Sequence, residues 1–473
     1  MQRNKKPIAA FFDIRDVDFE QEENIGELYK KNLSIAWPSV LEGALLSIIN
    51  SVDTMMVGTI GLSAIAAVGL AAQPRMILLI LGQSLCVGTT AVVARRKGQE
   101  DQKAANDCLK QSLIIITVLG LLMAAIGYYL AEPFMKLAGA NEDTLEMSVT
   151  YFKVISLGLI FNYWSLCICA ALKAIGQTKV TLITNLTANI VNVIFNYMLI
   201  GGHFGFPALG VLGAAIATTL GTMVSCIVAF YFVLRPGGYL RLKLFEKFKW
   251  DMDSLKSVVS VGSSSIAESV FLRIGFLINS RLVAGIGTQA YATYQIVQQV
   301  SSLSFTVGDG LAIASTSLVG QSLGSKRKDL AMANVKITRK LSIVTSIVLM
   351  TTVFFTRGML PMLFTDDPAV IADAALAFIV IVIGLIPQNG RIVYSGCLRG
   401  AGDTKYVAFI SLISVAIVRP IATYLFCYPL AALFPLLRLE ILGPWLSFDL
   451  DSVLRDILLD RRIEKGDWLN IRL

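Results

Sequence analysis

Asp53 stands in the phrase NSVDTMMVG, inside an apolar run long enough to cross a bilayer. A carboxylate near the bilayer centre costs about 2.5–3.5 kcal/mol on insertion scales, so an acid retained there usually faces a cavity and can exchange its charge with a proton or a metal cation. The alternative is a carboxylate near the helix end, capping it or reaching interfacial water. Asn185, Asn189, Asn192 and Asn196 follow one another at helical spacing and share one stripe. Lipid does not tolerate such a stripe, so it faces protein or water. It reads either as interhelical hydrogen bonding or as a cavity wall whose amide oxygens coordinate a cation or hold Asp53 in place. Glu268, in GSSSIAESVFLRIGF, and Glu42, in WPSVLEGALLSI, are further acids in apolar surroundings. Asp309, Arg273, Arg391 and Arg419 complete the charges read at membrane depth, and ion pairing could neutralise them.

Several chemistries are excluded. The chain has one histidine, His203, which rules against a Ser/His/Asp triad or a His-ligated zinc. No phosphate-binding GxxxxGK[ST] loop occurs, and GQSLGSK at 320–326 has the wrong spacing. The chain therefore reads as neither an enzyme nor an ATPase, and uphill transport would need an ion gradient. No cofactor is expected beyond Na+ or H+ as the coupling ion.

The elements that must carry these residues repeat. Gly176 pairs with Gly402 inside LKAIGQTK (172–179) and LRGAGDTK (398–405), and the same offset of 226 residues pairs Glu42 with Glu268, Gly61 with Gly287, Gln73 with Gln299 and Gly158 with Gly384. With 55% hydrophobic and 16% charged residues over 473 positions, the chain reads as an all-α integral membrane protein. We count about twelve spans, six per repeat. They include 35–57, 178–201, 257–284 and a final one at 441–462. An even number of spans per repeat brings both repeats in from the same side, so a pseudo-twofold axis should run along the membrane normal. The expected division is a cytoplasmic tail at 1–34, a six-helix bundle at 35–234, a cytoplasmic linker at 235–256 and a second bundle at 257–473 with a short cytoplasmic tail.

Charge sets the orientation. Arg3, Lys5, Lys6, Arg15, Lys30 and Lys31 precede the first span, and Arg235, Arg241, Lys243, Lys247 and Lys249 occupy the linker. The opposite loops, EPFMKLAGANEDTLE and TDDP, are poor in base. By the positive-inside rule both termini are cytoplasmic in a multi-pass protein of the cell membrane. The net charge of +8 then needs no nucleic-acid partner. The seven cysteines lie in or beside apolar spans with no metal-like spacing and read as packing residues. The last span is unusual, because Asp449, Asp451, Arg455, Asp456 and Asp460 crowd into it. Its later part is expected to leave the membrane, with Asp449 and Asp451 unexplained.

On VDTMMVG followed by IGLSAIAAVGLA, the LKAIGQTK/LRGAGDTK pair, GVLGAAIAT at 210–218 and the Glu268 phrase, the chain resembles the multidrug and toxic compound extrusion (MATE) family over about 35–430. The resemblance implies a two-lobe, twelve-helix exporter that works by alternating access, exchanging organic cations and other amphipathic compounds for sodium ions or protons. In one branch of the family it implies a cation site at the positions of Asp53, Asn192, Asn196 and Thr218, with Asn196 standing where the family carries a second acid. In other branches it implies a site at the position of Glu268 and at a second acid, here replaced by Gln388 with Asn389 beside it. Glu42, Met55, Phe161, Tyr163 and Trp164 are candidates for the substrate cleft, and Asp309 for the second coupling or substrate site. A carboxylate that serves both ion and substrate makes the two mutually exclusive, which antiport requires. A monomer in the lipid bilayer is expected. The alternative is a flippase for a lipid-linked saccharide or other polar lipid, which would need Arg273, Arg281, Arg391 and Arg419 to face inward together. A channel fits a two-bundle chain less well.

Overall fold

The computed structural model describes residues 12–14, 17–243 and 250–473. Of the bases counted above, Arg3, Lys5, Lys6, Arg15, Lys247 and Lys249 lie outside the described residues. The described chain is helical: α1 (Ile25–Gly58), α2 (Leu62–Gly98), α3 (Gln102–Tyr129), α4 (Ala131–Leu137), α5 (Glu142–Leu157), α6 (Leu159–Ala174), α7 (Thr178–Gly201) and α8 (Gly210–Leu234) come first. Then follow α9 (Met252–Ala284), α10 (Thr288–Gly324), α11 (Lys328–Thr356), α12 (Pro368–Ala401), α13 (Thr404–Leu433) and α14 (Leu439–Lys465).

Among the described residues, ten helices are long and apolar enough to cross a membrane, or eleven if α5 and α6, bent by 47°, form one span. The remaining expected span falls on α14, whose charges lower its apolar character but point inward, with Asp451 fully buried and Arg455 5% exposed. Ile77, Val118, Leu277 and Ile383 are each more than 60% exposed, as lipid-facing side chains are.

Local rules set the helix ends. Asn24 Oδ1 accepts from the Gly26 amide at 3.0 Å and starts α1 ten residues before the expected span. Asp367 Oδ1 accepts from the Ala369 amide at 2.9 Å with Pro368 at the first position, so the TDDP loop is the cap of α12. The repeat is also visible in the backbone. Three pairs of positive-φ residues stand one repeat apart: Gly61 and Gly287 (141° and 150°), Glu100 and Lys326 (59° and 61°), and Gly176 and Gly402 (85° and 91°). In α13 the helix widens into π-turns at Leu412–Val418 and Phe426–Leu430, on either side of Arg419–Leu425.

The chain forms two compact units, one of Leu41–Ser263 (with Leu473) and one of Met1–Val40 with Ser264–Arg472. The division falls inside α1 and inside α9, and not at the linker. In the second unit, Ile35 and Ala36 of α1 join a core with Leu311, Ala314 and Leu318. Gly310 admits the α1 backbone there, since a Cβ on it would lie 2.9 Å from the Val40 nitrogen. In the first unit, Gly88 likewise meets the backbone of Val258 in α9. Residues 12–34 are not a free tail in their described part. Lys340 Nζ donates to the Asp13 carbonyl at 2.5 Å, Arg327 pairs with Glu23 at 3.2 Å, and Ile14 is fully buried.

Candidate functional site

In the first unit, α1, α7 and α8 bring Asp53, Asn192, Asn196 and Thr218 together. Asn196 Nδ2 donates to Asp53 Oδ1 at 2.9 Å. The Asn192 amide satisfies its surroundings when its nitrogen faces Asp53, donating at 2.9 and 3.0 Å to the two carboxylate oxygens while its oxygen accepts from the Thr218 amide at 3.2 Å. Two amides thus hold Asp53 as an acceptor. Asn196 Oδ1 is buried with no hydrogen-bond partner. An orphaned oxygen beside a carboxylate and a hydroxyl fits a hard cation.

These residues border two cavities of about 290 and 230 Å³, both lined by Asn50, Arg75 and Thr218. Asp53 and Asn196 line the first, and Asn185, Asn189 and Asn192 line the second. The asparagine stripe therefore borders cavity space. Sequence reasoning missed Arg75, although a lone arginine in the apolar run QPRMILL was a usable signal.

Glu42 does not join this cluster. It is buried, and it accepts from Lys173 Nζ at 2.9 Å, Asn185 Nδ2 at 2.7 Å and Thr181 Oγ1 at 3.1 Å. In the second unit Glu268 accepts from Arg399 Nη2 at 2.7 Å. Lys173 and Arg399 are one repeat apart, as Glu42 and Glu268 are, so each acid has a base in its own half. The bases sit in LKAIGQTK and LRGAGDTK, phrases in which sequence reasoning gave Lys173 and Arg399 no role.

The second unit holds a cavity of about 330 Å³ whose wall includes Glu268, Asp309, Arg391, Arg399, Arg419 and Arg455. Arg419 and Arg455 both pair with Asp451 of α14, the latter at 3.3 Å. Asp451, unexplained in sequence, is thus the shared counter-ion of two buried arginines. Its neighbour Arg455 does not leave the protein interior. Arg391, 7% exposed, donates from Nε to Ser452 Oγ at 3.2 Å and stacks between Phe305 and Phe448. Arg273 and Arg281 are exposed and do not line this cavity.

The remaining candidates are placed elsewhere. Gln388 is fully buried outside the cavity wall, and neither polar atom of its amide has a partner. Met55 is 71% exposed. Tyr163 is a core residue whose hydroxyl donates to the Leu78 carbonyl. Trp164 donates to Thr117 Oγ1 at 2.7 Å and meets Phe161 and Phe230 edge-on. Asn162, Ser165 and Leu166, on the same helix, are the ones that reach cavity space.

The MatE family model matches residues 38–198 and again 265–425. The chain is 26% identical over 442 residues to the uncharacterized transporter YisQ of Bacillus subtilis, covering 92% of this chain and 94% of that one. It is 27% identical to the probable multidrug resistance protein NorM of Thermotoga maritima, covering 94% of each. A structure described as the outward-facing conformation of a multidrug resistance MATE family transporter of the MOP superfamily superposes with a TM-score of 0.84 at 19% identity, covering 93% of this chain and 96% of that one. So does a MOP superfamily transporter from Pyrococcus furiosus, described as having a binding pocket of reverse polarity, with a TM-score of 0.84 at 19% identity and coverage of 94% and 97%.

Proposed function

Because the chain belongs to the MATE family of multi-pass membrane transporters, we propose that it is a secondary exporter in which a cation bound at Asp53 drives small amphipathic compounds out by alternating access. The observation that carries this reading is the contact of Asp53 with Asn192 and Asn196, with the orphaned Asn196 Oδ1 beside it. With no cation, the two amide nitrogens hold the carboxylate by hydrogen bonding. Arrival of Na+ turns the Asn192 amide so that its oxygen joins those of Asp53, Asn196 and Thr218 as ligands. A proton on Asp53 would discharge the same site with no need for the extra oxygens, so the donor set favours sodium.

The ion acts only through what it binds differently in the two states of the carrier. Filling the site removes a negative charge from cavity walls that also carry Arg75 and six asparagines, Asn50, Asn162, Asn185, Asn189, Asn192 and Asn196. That change in local field alters substrate affinity, and the linkage is reciprocal. Multidrug resistance proteins among the relatives support small amphipathic substrates as the cargo. The cytoplasmic placement of both termini, the monomeric state and the division into two lobes belong to the same proposal.

The test is flux in proteoliposomes. A fluorescent amphipathic substrate is followed under an imposed sodium gradient and, separately, under a pH gradient. Sodium-driven flux lost in Asp53→Asn but with normal membrane insertion is the expected result. Flux driven by neither gradient, or full activity in Asp53→Asn, overturns the reading.

A further inference from the structure

We propose that the cavity of the second unit binds an anionic group, a carboxylate, sulfonate or phosphate on an amphipathic molecule, with Arg391 as its principal partner. The proposal deepens the exporter reading, on which it rests for the direction of transport, by naming a class of cargo.

Four guanidinium groups line the cavity, those of Arg391, Arg399, Arg419 and Arg455. The acids that can offset them are Glu268 and Asp309 on the wall and Asp451 behind it. Four positive charges against three negative leave one in excess even with every acid ionised. Glu268 is engaged by Arg399, and Asp451 is shared by Arg419 and Arg455. Among the described residues, Arg391 hydrogen-bonds only through Nε, to the neutral Ser452, so its two terminal nitrogens are available to meet a ligand. An arginine buried against two phenylalanines pays for its desolvation only when an anion completes it.

Geometry adds specificity. The planar fork of arginine matches carboxylate and phosphate oxygens in pairs. Stacking between Phe305 and Phe448 fixes the plane of Arg391. Phe276, Phe305 and Leu272 also line the cavity and supply the apolar wall that an amphipathic anion needs beside its charged end. A volume of about 330 Å³ accommodates a small organic molecule. The two cavities described in the first unit differ, being lined by one arginine, one carboxylate and several amides.

The experiment is equilibrium binding of 4-methylumbelliferyl phosphate to the purified full-length protein in an uncharged maltoside detergent, read by calorimetry at pH 7. Its uncharged counterpart 7-methoxy-4-methylcoumarin and the cation rhodamine 6G are titrated alongside. Saturable binding of the phosphate is expected, with little binding of the coumarin and no displacement by rhodamine 6G. Arg391→Gln should weaken it by about tenfold or more, the loss of a charge-assisted contact, and Arg391→Lys should restore part of it. Leu272→Trp, which fills the cavity without touching charge, should also abolish binding and serves if the Arg391 variant does not fold.

Equal binding of the phosphate by wild type and Arg391→Gln overturns the proposal, as does no binding by wild type. Repetition in nanodiscs of phosphatidylcholine with and without phosphatidylglycerol separates the sources. Displacement of the probe by phosphatidylglycerol identifies a lipid headgroup, and its persistence identifies a soluble anion. Binding is measured with no gradient, so it must survive Asp53→Asn. Failure of ion coupling and failure of this site are thereby told apart.

Discussion

At the scale of single residues, what decides the chemistry is which partner each buried charge has found. Glu268 and Arg399 neutralise one another at 2.7 Å, so removing only the base leaves a carboxylate stranded. Arg399→Ala should lower the stability of the protein by on the order of 1–3 kcal/mol, and Glu268→Gln in the same chain should recover part of the loss. Thermal unfolding of the two single variants and the double variant checks this, and additive losses would refute it. Asp451 has more at stake, because it neutralises two buried arginines. Asp451→Asn should cost about 3–5 kcal/mol, seen as a lowered unfolding midpoint or loss of monodisperse protein. Asn196→Ala should weaken sodium dependence of transport by about tenfold, through loss of one oxygen ligand worth roughly 1.4 kcal/mol. A sodium titration of flux measures it, and an unchanged half-saturation concentration would remove Asn196 from the site.

At the scale of elements, close helix approach depends on glycine where another residue would collide. A Cβ on Gly310 would lie 2.9 Å from the backbone nitrogen of Val40, and one on Gly88 would strike the Val258 backbone. Gly88→Val and Gly310→Val should each destabilise by about 1–3 kcal/mol through overpacking, whereas the same change at Gly358, which faces open space, should be neutral. Melting curves of the three variants make the comparison. The start of α9 gives a pH-dependent case outside the membrane. Asp251 accepts from Ser254 Oγ at 2.6 Å and from the Asp253 amide at 3.1 Å, with Arg96 at 3.6 Å, and the Ser254 hydroxyl foremost among them holds its carboxyl below the usual range. A depressed folded-state pKa contributes stability that is present above the unfolded pKa and lost as pH falls through the folded one. Asp251→Ala should therefore lower the unfolding midpoint at pH 7, and the difference should shrink as pH falls below about 3.9.

At the scale of the whole molecule, two copies of one ancestral unit have kept their frame and changed their walls. Both retain the acid–base pair at matched positions and the same positive-φ turns. Their cavities differ: amides, one acid and one arginine line the first unit, and four arginines line the second. The proposed division of labour places ion coupling in one and cargo selection in the other. Asp53→Asn should abolish gradient-driven movement of every substrate, whereas Arg391→Gln should abolish movement of anionic ones alone. Parallel flux assays with 4-methylumbelliferyl phosphate and rhodamine 6G test it, and equal loss of both substrates in Arg391→Gln would show that the halves do not work separately.

The repeat, the apolar spans and the acid in the first helix are properties of order along the chain. Periodicity and composition report them directly, since a bilayer penalises every unpaired polar group in its core. That is why the helical class and the asparagine stripe were legible, whereas the grouping of Asp53 with Asn192, Asn196 and Thr218 came only from the family resemblance. Partnership across the fold was not. Glu42 with Lys173, Asp451 with Arg419 and Arg455, and Arg75 beside Asp53 join residues on different helices, and nothing in local spacing states which faces of those helices meet. Tyr163 and Trp164 show the same limit, because an aromatic stripe on a helix looks alike whether it faces a cleft or the core. Helix packing alone decided that α14, whose charged later part was expected to leave the membrane, turns Asp451 and Arg455 inward against Arg419 of α13, where an ion pair replaces the water that those groups gave up.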